Sequence, residues 1–395
     1  MRIHVPLNVT YLSDWNGFEL PNGILNKGIT ACGATTVALE NRHKTIICCP
    51  RINLIVNKHE QYPETLIVTG DVSNRAILDY LSASQLPKIL ATFDSIPRLA
   101  TLIEDKSDWR VVVDEYHYIL IDSAFKSQVE IAILDAVVQF PYVTYLSATP
   151  IAEKFMKEID HFKKLDYYEL VWSSIDHVKV LCEESKSPIN AALRIVRDYQ
   201  SGIFPRIELD GRVIESNECV IFLNSVNNIA NIIKQTGLSP EEVNIIVGTS
   251  DNNDDIIRKI GNGHTRGRIP LKDEPHKMFT FCTSTAFAGC DFYSKCASTF
   301  VISDSNRAHT SIDIATELVQ IAGRQRLKEN PFRSVLTFIY NVNNGAMSRE
   351  EYMAIIDNRM RVSISDADFK NSILNTDLRN KYIKETEHYI KIMGF

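Results

Sequence analysis

CxxC cysteine pairs, long apolar runs and an excess of positive charge are all missing from this sequence. Its eight cysteines include no CxxC pair, which argues against the common zinc and redox motifs and predicts reduced, buried thiols. No apolar stretch approaches the ~20 residues of a membrane span, and the first residues carry no secretory pattern. We therefore expect a soluble cytoplasmic protein that contacts no membrane.

The shortage of positive charge limits how the protein can contact nucleic acid. It has 43 lysines and arginines against 49 acidic residues, a formal net charge of −6. A nucleic-acid binder of this charge must gather its basic groups in a cleft, because overall attraction to phosphate is absent. The 23% of charged and 45% of hydrophobic residues argue against a disordered or histone-like chain, and 395 residues predict two or three domains.

Short β-rich runs alternate with helical patterns along the chain, which favours parallel sheets flanked by helices. In the first half, the predicted strands cover 45–49, 65–68, 89–93, 110–113 and 143–146. In the second half, they cover 178–181, 219–223, 243–247, 278–282, 299–302 and 335–340. Helices predicted between the strands include 129–138, 191–199, 227–234 and 312–322.

The second half is expected to begin near 171–175, where a helical pattern has ended and a new strand starts. The polar, turn-rich segment 251–275 is predicted to be an inserted loop. After the last strand, helices are predicted at 349–360 and 377–393. The expected organisation is an α/β domain over 1–173, a similar domain over 174–346 and a small helical C-terminal extension over 347–395.

A glycine-rich run that starts at Gly28 has the composition of a phosphate-binding loop. Such a loop surrounds phosphates with backbone N–H groups, and the helix that follows presents its positive end. Gly28 and Gly33 permit the tight path, Thr35 can hold Mg²⁺ through its hydroxyl, and Thr36 fits the same scheme. Ala34, however, stands where such loops place the lysine that cancels phosphate charge.

An acidic pair follows the predicted strand 110–113, in the sequence Asp-Glu-Tyr-His. At the carboxyl end of a strand, Asp114 can hold Mg²⁺ while Glu115 orients or deprotonates the attacking water. The alternative is an acidic strand end that only caps the next helix. Ser147-Ala148-Thr149-Pro150, one predicted strand later, favours the catalytic interpretation.

Seven motifs occur in an order that resembles the two-domain motor of superfamily 2 helicases and translocases. They are the loop from Gly28, Cys49-Pro50-Arg51, the acidic box from Asp114, the Ser-Ala-Thr-Pro motif from Ser147, Ile-Phe-Leu-Asn-Ser from Ile221, the run from Thr283 to Asp291, and Gln-Ile-Ala-Gly-Arg-Gln-Arg from Gln320. The compact chain looks like DExH-type versions from phages or mobile elements. The resemblance covers about residues 24–340.

This resemblance implies a fold, cofactors and partners. It implies an α/β protein with two RecA-like parallel-sheet domains in tandem, which bind ATP and Mg²⁺. The expected partner is a nucleic acid, DNA rather than RNA, and replication or repair proteins are candidate protein partners. No oligomer is required, and the cytoplasm of a bacterium or a phage-infected host is the expected location.

Several single residues take their expected roles from the resemblance. Thr30 fits the superfamily's form of the phosphate loop, and His117 stands where the family couples the nucleotide state to the second domain. Thr283 is expected to contact a backbone phosphate, and Asp291 the ribose of the nucleotide. Gly289 keeps the T-x-x-A-x-x-G-x-D spacing that connects these two residues.

The motif at Gln320 implies an arginine that crosses the interdomain cleft. Gln320 and Arg324 match the family's Q-x-x-G-R pattern, and Arg324 would stabilise the γ-phosphate charge only when the cleft closes. The family places a second arginine three residues further on. Here that position is Leu327, and Arg326 comes one residue early. An amphipathic helix with surface arginines is the alternative.

Two loops match positions at which the family grips the nucleic-acid backbone. One contains Arg51, and the other contains Thr92 and Ser95. Such groups position a strand without reading its sequence. Loops with a purely structural role are the alternative for both, and no aromatic stacking platform is evident.

Ala34 leaves three explanations open. In the first, the protein hydrolyses ATP with a substitute cation, for which Lys27 is the nearest candidate, although a lysine there is more often the partner of a buried acid such as Asp114. In the second, the chain is a nucleic-acid-binding module that no longer hydrolyses ATP. In the third, Ala34 was engineered. We expect an ATP-dependent helicase or translocase that hydrolyses ATP at the interdomain cleft, with the non-hydrolysing module as the alternative.

Overall fold

A computed structural model of the chain describes residues 1–121, 132–157, 159–209, 211–287, 290–342 and 348–378. The chain divides into two compact units. Unit 1 is formed by Met1–Ser174 together with Met347–Phe395, and unit 2 by Ile175–Ala346. Each unit is built around a parallel β-sheet of its own.

Unit 1 contains an eight-stranded sheet in which every neighbouring pair of strands is parallel. Its strands are β1 (Arg2–His4), β2 (Gly23–Asn26), β3 (Lys44–Cys49), β4 (Leu66–Val68), β5 (Lys88–Thr92), β6 (Trp109–Asp114), β7 (Tyr142–Ser147) and β8 (Tyr167–Val171). They are arranged in the order β1-β8-β2-β7-β6-β3-β5-β4. The central strands β3 and β6 are almost entirely buried, which explains the apolar runs 46–49 and 111–113 within them.

Helices connect the strands of unit 1. They are α1 (Ala34–Glu40), α2 (Ile52–Gln61), α3 (Asn74–Ala83), α4 (Ile96–Leu102), α5 (His117–Ile121), α6 (132–137) and α7 (Glu153–Met156). One core cluster of this unit joins α1 and α2 to the sheet through residues such as Leu39, Ile47 and Leu54. Because parallel strands all end at the same edge, the loops that follow β2, β3, β5, β6 and β7 lie along one edge of the sheet.

Unit 2 contains a six-stranded parallel sheet and a separate antiparallel hairpin. The sheet strands are β9 (Lys179–Glu184), β12 (Glu218–Leu223), β13 (Val243–Ile246), β14 (Phe279–Cys282), β15 (Ala297–Ser303) and β16 (Val335–Tyr340), and the hairpin strands are β10 (Arg206–Leu209) and β11 (Arg212–Glu215). The sheet order is β13-β14-β12-β15-β16-β9. The helices are α8 (Pro188–Gln200), α9 (Val226–Thr236), α10 (Asp251–Arg258) and α11 (Glu317–Ala322), and α12 (Arg349–Asn371) follows this unit.

All eleven predicted strands are present, and no strand end differs from its predicted position by more than three residues. The sequence did not reveal β1, β2, β8 or the hairpin. These strands have three to five residues each, and such short runs show no reliable alternation.

Two predictions in unit 2 were wrong. The segment 251–275 is not a loop throughout, because it opens with α10, whose Ile257 is buried in the core. The helix predicted over 312–322 begins only at Glu317. Asp313 Oδ1 accepts hydrogen bonds from the backbone N–H groups of Ala315 and Thr316, and such a turn competes with helix formation.

The C-terminal helix is longer than its predicted range 349–360, since α12 continues to Asn371. Of the helix predicted over 377–393, only residues 377 and 378 are described, and 379–395 lie outside the described residues. Within the described ranges, no helix has the length and apolar character needed to cross a bilayer.

Candidate active site

Three neighbouring strands of unit 1 bring the candidate catalytic residues together. In the sheet, β7 lies between β2 and β6. Lys27 directly follows β2, Ser147 ends β7, and Asp114 ends β6. The backbone N–H of Lys27 donates to the carbonyl of Ser147 at 2.8 Å, which extends the sheet pairing by one residue.

The ammonium of Lys27 contacts both carboxylates of the acidic box. Its Nζ lies 3.0 Å from Asp114 Oδ1 and 2.8 Å from Glu115 Oε1. All three side chains are buried, with exposed fractions of 7%, 4% and 8%. A buried charge is costly unless it is paired, so the cation and the two acids stabilise one another in their charged forms.

The pKa values follow from this arrangement. Burial alone would raise the pKa of Asp114, but the charge of Lys27 and hydrogen bonds from Lys27 and Thr35 outweigh burial and lower it. Burial would likewise lower the pKa of Lys27, but the charges of Asp114 and Glu115 raise it well above its usual range. Lys27 and Asp114 are therefore both charged at neutral pH.

Oxygen donors suited to Mg²⁺ are present beside this group. Thr35 Oγ1 donates to Asp114 Oδ2 at 3.1 Å, and in nucleotide sites Mg²⁺ takes one or two protein ligands together with phosphate oxygens. Among the described residues, no group of three or more His, Cys, Asp or Glu side chains is placed to hold a metal. The oxygens of Thr35 and Asp114 fit a magnesium ion that takes its other ligands from phosphates. Lys27 already places a positive charge beside Asp114.

The phosphate loop has the backbone that its glycines predict. Gly28 has φ +72°, and a Cβ there would lie 2.9 Å from the carbonyl oxygen of Leu170. Gly33 has φ +83° and is the N-cap residue of α1. Both positions therefore favour glycine. Thr30 lies within this loop and is half-buried, while Thr36 lies in the first turn of α1.

Ala34 is the first residue of α1, and it is 2% exposed. The side chain of a lysine at this position would therefore start from a buried part of the backbone. The next residue, Thr35, contacts Asp114, and the acid pair already holds the ammonium of Lys27. The structure thus shows a cation at the acidic box that comes from β2 rather than from the loop.

Glu115 and His117 form a second connected group. Glu115 has φ +54°, a strained conformation for a residue with a side chain, and such strain concentrates at functional sites. His117 Nδ1 lies 2.8 Å from Ser147 Oγ and 3.4 Å from Glu115 Oε2. Ser147 Oγ also accepts a hydrogen bond from the Thr149 N–H at 3.0 Å. The Ser-Ala-Thr motif is therefore joined to the acidic box through His117.

In unit 2, the motif residues surround Arg324, which is 3% exposed. Its Nε donates to the carbonyl of Gln320 at 2.7 Å, and its Nη2 to the side-chain oxygen of Gln320 at 3.3 Å. Arg326 Nε lies 2.6 Å from Asp291 Oδ1, and Arg324 Nη1 lies 3.9 Å from the same oxygen. Asp291 is thus paired with both arginines, and Arg324 is not a surface arginine of an amphipathic helix.

The remaining candidates of unit 2 are partly described. Gly289 lies outside the described residues. Thr283 is buried, and its N–H donates to the carbonyl of Ile246 at 3.1 Å. The next residue, Ser284, donates its N–H to Asn224 Oδ1 at 3.0 Å, which ties this loop to the end of β12.

The candidate strand-contact residues of unit 1 lie at the carboxyl edge of the sheet. Arg51 follows β3 and is the N-cap residue of α2, and its guanidinium lies over the ring of Tyr118 at 5.0 Å from the centroid. Thr92 ends β5, and its hydroxyl is 3.0 Å from that of Ser95. Arg51 and Thr92 are half-buried, whereas Ser95 is buried.

Two structural contributors were not assigned a role from the sequence. Trp172 Nε1 donates to the carbonyl of Lys27 at 2.8 Å, which fixes the backbone from which the ammonium extends. Tyr118 packs its ring against that of His117 at 4.5 Å between centroids. No motif marks either residue, because both contacts arise from tertiary packing.

The fold is similar to that of solved helicases. Mss116p bound to ssRNA and AMP-PNP has a TM-score of 0.55 and 12% identity over 96% of this chain and 81% of that chain. Dbp5 of S. cerevisiae bound to RNA and ADP BeF3 has a TM-score of 0.51 and 14% identity over 86% of this chain and 83% of that chain. Lhr, a Mycobacterium smegmatis helicase bound to ssDNA and AMP-PNP, has a TM-score of 0.51 and 14% identity over 81% of this chain, which matches 44% of Lhr.

No protein-family model and no curated protein matches the sequence. The TM-scores of 0.51–0.55 show a shared fold, and at identities of 12–14% the activity has to be argued from the site. The chain therefore shares the fold of these solved helicases, an α/β architecture that matches tandem RecA-like domains.

Proposed function

We propose that the protein is an ATP-dependent helicase or translocase of DExH type that moves along or remodels DNA or RNA. The contact of Lys27 with Asp114 and Glu115 carries this proposal. This contact brings a positive charge to the acidic box from the residue directly after β2, in a protein whose phosphate loop has Ala34 in place of its usual lysine. AMP-PNP and ADP BeF3 are bound in the solved helicases of this fold, which supports a nucleotide as the ligand.

Each residue of the site has a defined part in the proposed reaction. The N–H groups of the loop and of the start of α1 would bind the phosphates. Glu115 would accept a proton from the attacking water, and His117 with Ser147 would hold that carboxylate in place. Mg²⁺, held by Thr35 and Asp114, would neutralise charge on the phosphates.

Unit 2 would contribute the arginines and the nucleotide-binding acid. Arg324 would have to exchange its hydrogen bonds with Gln320 for contact with the γ-phosphate, and Asp291 would keep Arg326 oriented meanwhile. Such an exchange costs little when a phosphate replaces the lost acceptors. Gly289 and Thr283 would complete the nucleotide and strand contacts of this unit.

The same lysine contact supports a second candidate function. Both carboxylate oxygens of Asp114 already accept hydrogen bonds, one from Lys27 and one from Thr35. In this second function, the Lys27 ammonium takes the place of Mg²⁺ and not the place of the loop lysine. The protein would then bind nucleic acid, with DNA as the expected ligand, without hydrolysing ATP.

ATP turnover with Mg²⁺, measured with and without single-stranded DNA or RNA, separates these two functions. The motor predicts turnover that rises when a strand is added. Strand binding with no turnover under any of these conditions would overturn the motor and support the non-hydrolysing module.

Ala34→Lys is expected to rescue Lys27→Met. Removing one preorganised charged group from such a site lowers turnover by about 10²–10³-fold, and a loop lysine would return a cation to the same carboxylates. In the otherwise unchanged protein, Ala34→Lys should alter turnover little, because Lys27 already occupies the acid pair. Steady-state turnover of the two single variants and the double variant tests this. A rise of two or three orders of magnitude from Ala34→Lys alone would show instead that the loop lysine was lost without replacement.

Strand binding is expected to depend only weakly on salt. With a net charge of −6, about 3–5 phosphate contacts predict a log–log slope of about −2 to −3.5 for a single strand. Arg51→Gln should reduce the slope by about 0.7, as measured by fluorescence anisotropy over a salt series. Arg2→Gln, on edge strand β1, is the matched control and should leave the slope unchanged. A slope steeper than about −7 contradicts this binding mode.

A further inference from the structure

A continuous series of side-chain contacts runs from Arg51 to the acidic box. The Arg51 guanidinium lies over the Tyr118 ring at 5.0 Å, and the Tyr118 ring lies 4.5 Å from the His117 ring at an interplanar angle of 35°. His117 Nδ1 in turn lies 3.4 Å from Glu115 Oε2 and 2.8 Å from Ser147 Oγ. Tyr118 is therefore the one link in this series that belongs to neither the strand-contact residues nor the acidic box.

The sheet explains why these residues meet. Strand β3 lies beside β6, so Arg51, after β3, and the residues after β6 share the same edge. Helix α5 begins at His117, which places Tyr118 next in its first turn. Tyr118 is 8% exposed, so its ring has little freedom to move unless one of its neighbours moves.

A nucleic-acid phosphate would compete for Arg51. The guanidinium is attracted to the face of the tyrosine ring, but a phosphate offers it charge-assisted hydrogen bonds that are stronger. When the guanidinium turns towards a phosphate, the Tyr118 ring loses the cation on one face while its contact with His117 remains. A shift of the ring would then be transmitted to His117 through that contact.

We propose that Tyr118 is a positioning residue that couples strand contact at Arg51 to the orientation of His117 and Glu115. This inference rests on the proposed motor function and deepens it. The strand would change the geometry of the candidate general base through two aromatic contacts within unit 1.

The test compares strand-stimulated with unstimulated ATP turnover in three variants. Tyr118→Leu removes the ring, and the stimulation ratio is expected to fall by about 2- to 30-fold, the range of a cation–π contact. Tyr118→Phe keeps both ring contacts and should keep the ratio. Tyr142→Leu is the matched control, because Arg110 lies over the Tyr142 ring at 5.5 Å at the start of β7, away from the carboxyl edge. A ratio in Tyr118→Leu equal to that of Tyr142→Leu would overturn the inference.

A second readout separates failure of the coupling from failure of the proposed function. The imidazole NMR signal of His117, assigned with a His117→Gln variant, is expected to shift when oligo(dT) binds. This shift should be lost in Tyr118→Leu and kept in Tyr118→Phe and Tyr142→Leu. Absence of ATP turnover in the unchanged protein would overturn the proposed motor function. The coupling would be overturned if the His117 signal did not shift on oligo(dT) binding, or if it shifted equally in Tyr118→Leu.

Discussion

Lys27→Met is expected to destabilise unit 1 by about 3–5 kcal/mol at pH 7, the cost of leaving a buried charge without its partner. The methionine fills a similar volume but leaves Asp114 and Glu115 buried without the cation. The three tryptophans of the chain, Trp15, Trp109 and Trp172, all lie in unit 1. Tryptophan fluorescence during urea unfolding therefore reports this unit by itself.

The pH dependence of the destabilisation by Lys27→Met identifies its cause. In the unchanged protein, the pKa of Asp114 is lowered from 3.8, so its contribution to stability is complete above that value and is lost only as the pH falls further. Without Lys27, burial is expected to raise the pKa of Asp114 above its unfolded value. The variant then gains stability as the pH falls from 7 towards about 4.5, and its difference from the unchanged protein shrinks.

Lys88→Met is the matched control for this experiment. Lys88 is also a buried lysine of unit 1, but its ammonium binds the carbonyl oxygens of Asn41 and His43 at 2.8 and 2.9 Å. Burial and then Arg110 lower the pKa of Lys88 to about 8. The contribution of Lys88 to the free energy of unfolding therefore changes with pH only between that value and the usual 10.5. The destabilisation caused by Lys88→Met should be constant from pH 7 to about 4.5. If the destabilisation caused by Lys27→Met were equally constant over this pH range, it would contradict charge pairing with the acidic box.

Glu115→Gln is expected to reduce ATP turnover by about 10²–10⁴-fold, the usual contribution of a general base. Glutamine keeps the shape of the side chain and removes its ability to accept a proton as a carboxylate. Nucleotide and strand affinity should persist, because Asp114, Thr35 and the loop are unchanged. Turnover is measured under saturating ATP, and affinity with a fluorescent nucleotide.

Glu40→Gln provides the matched control for the base. Glu40 ends α1 in the same unit, and its Oε1 accepts a hydrogen bond from the Tyr62 hydroxyl at 2.9 Å. This change should leave turnover within about twofold, since Glu40 lies at the end of α1 opposite the phosphate loop. Turnover that survives Glu115→Gln would place the catalytic site elsewhere.

Much of the fold could be predicted from local patterns. The buried central strands β3 and β6 contain the apolar runs 46–49 and 111–113, and parallel sheets covered on both faces require such runs. The sequence therefore predicted these strands and the sheet type. The short strands β1, β2 and β8 stayed hidden, because three to five residues do not establish a pattern by themselves.

The candidate site was predictable as a set of residues but not as a geometry. The loop from Gly28 and the acidic box at Asp114 can be identified by composition, and a buried acid was the expected partner of Lys27. That Lys27 contacts Glu115 as well depends on the positions of β2, β7 and β6 in the sheet. Chain separation of nearly ninety residues conceals this contact from any local pattern.

The sequence by itself determined the motif order, the sheet-forming runs and the absence of a loop lysine at Ala34. Only the tertiary structure decided that a cation nonetheless reaches the acidic box, that Arg324 is buried against Gln320, and that Tyr118 lies between Arg51 and His117. Local propensity is encoded in neighbouring residues, whereas these contacts depend on which strands become neighbours. Strand order is set by packing of the whole sheet, and so a site assembled at the ends of several strands becomes visible only in the folded chain.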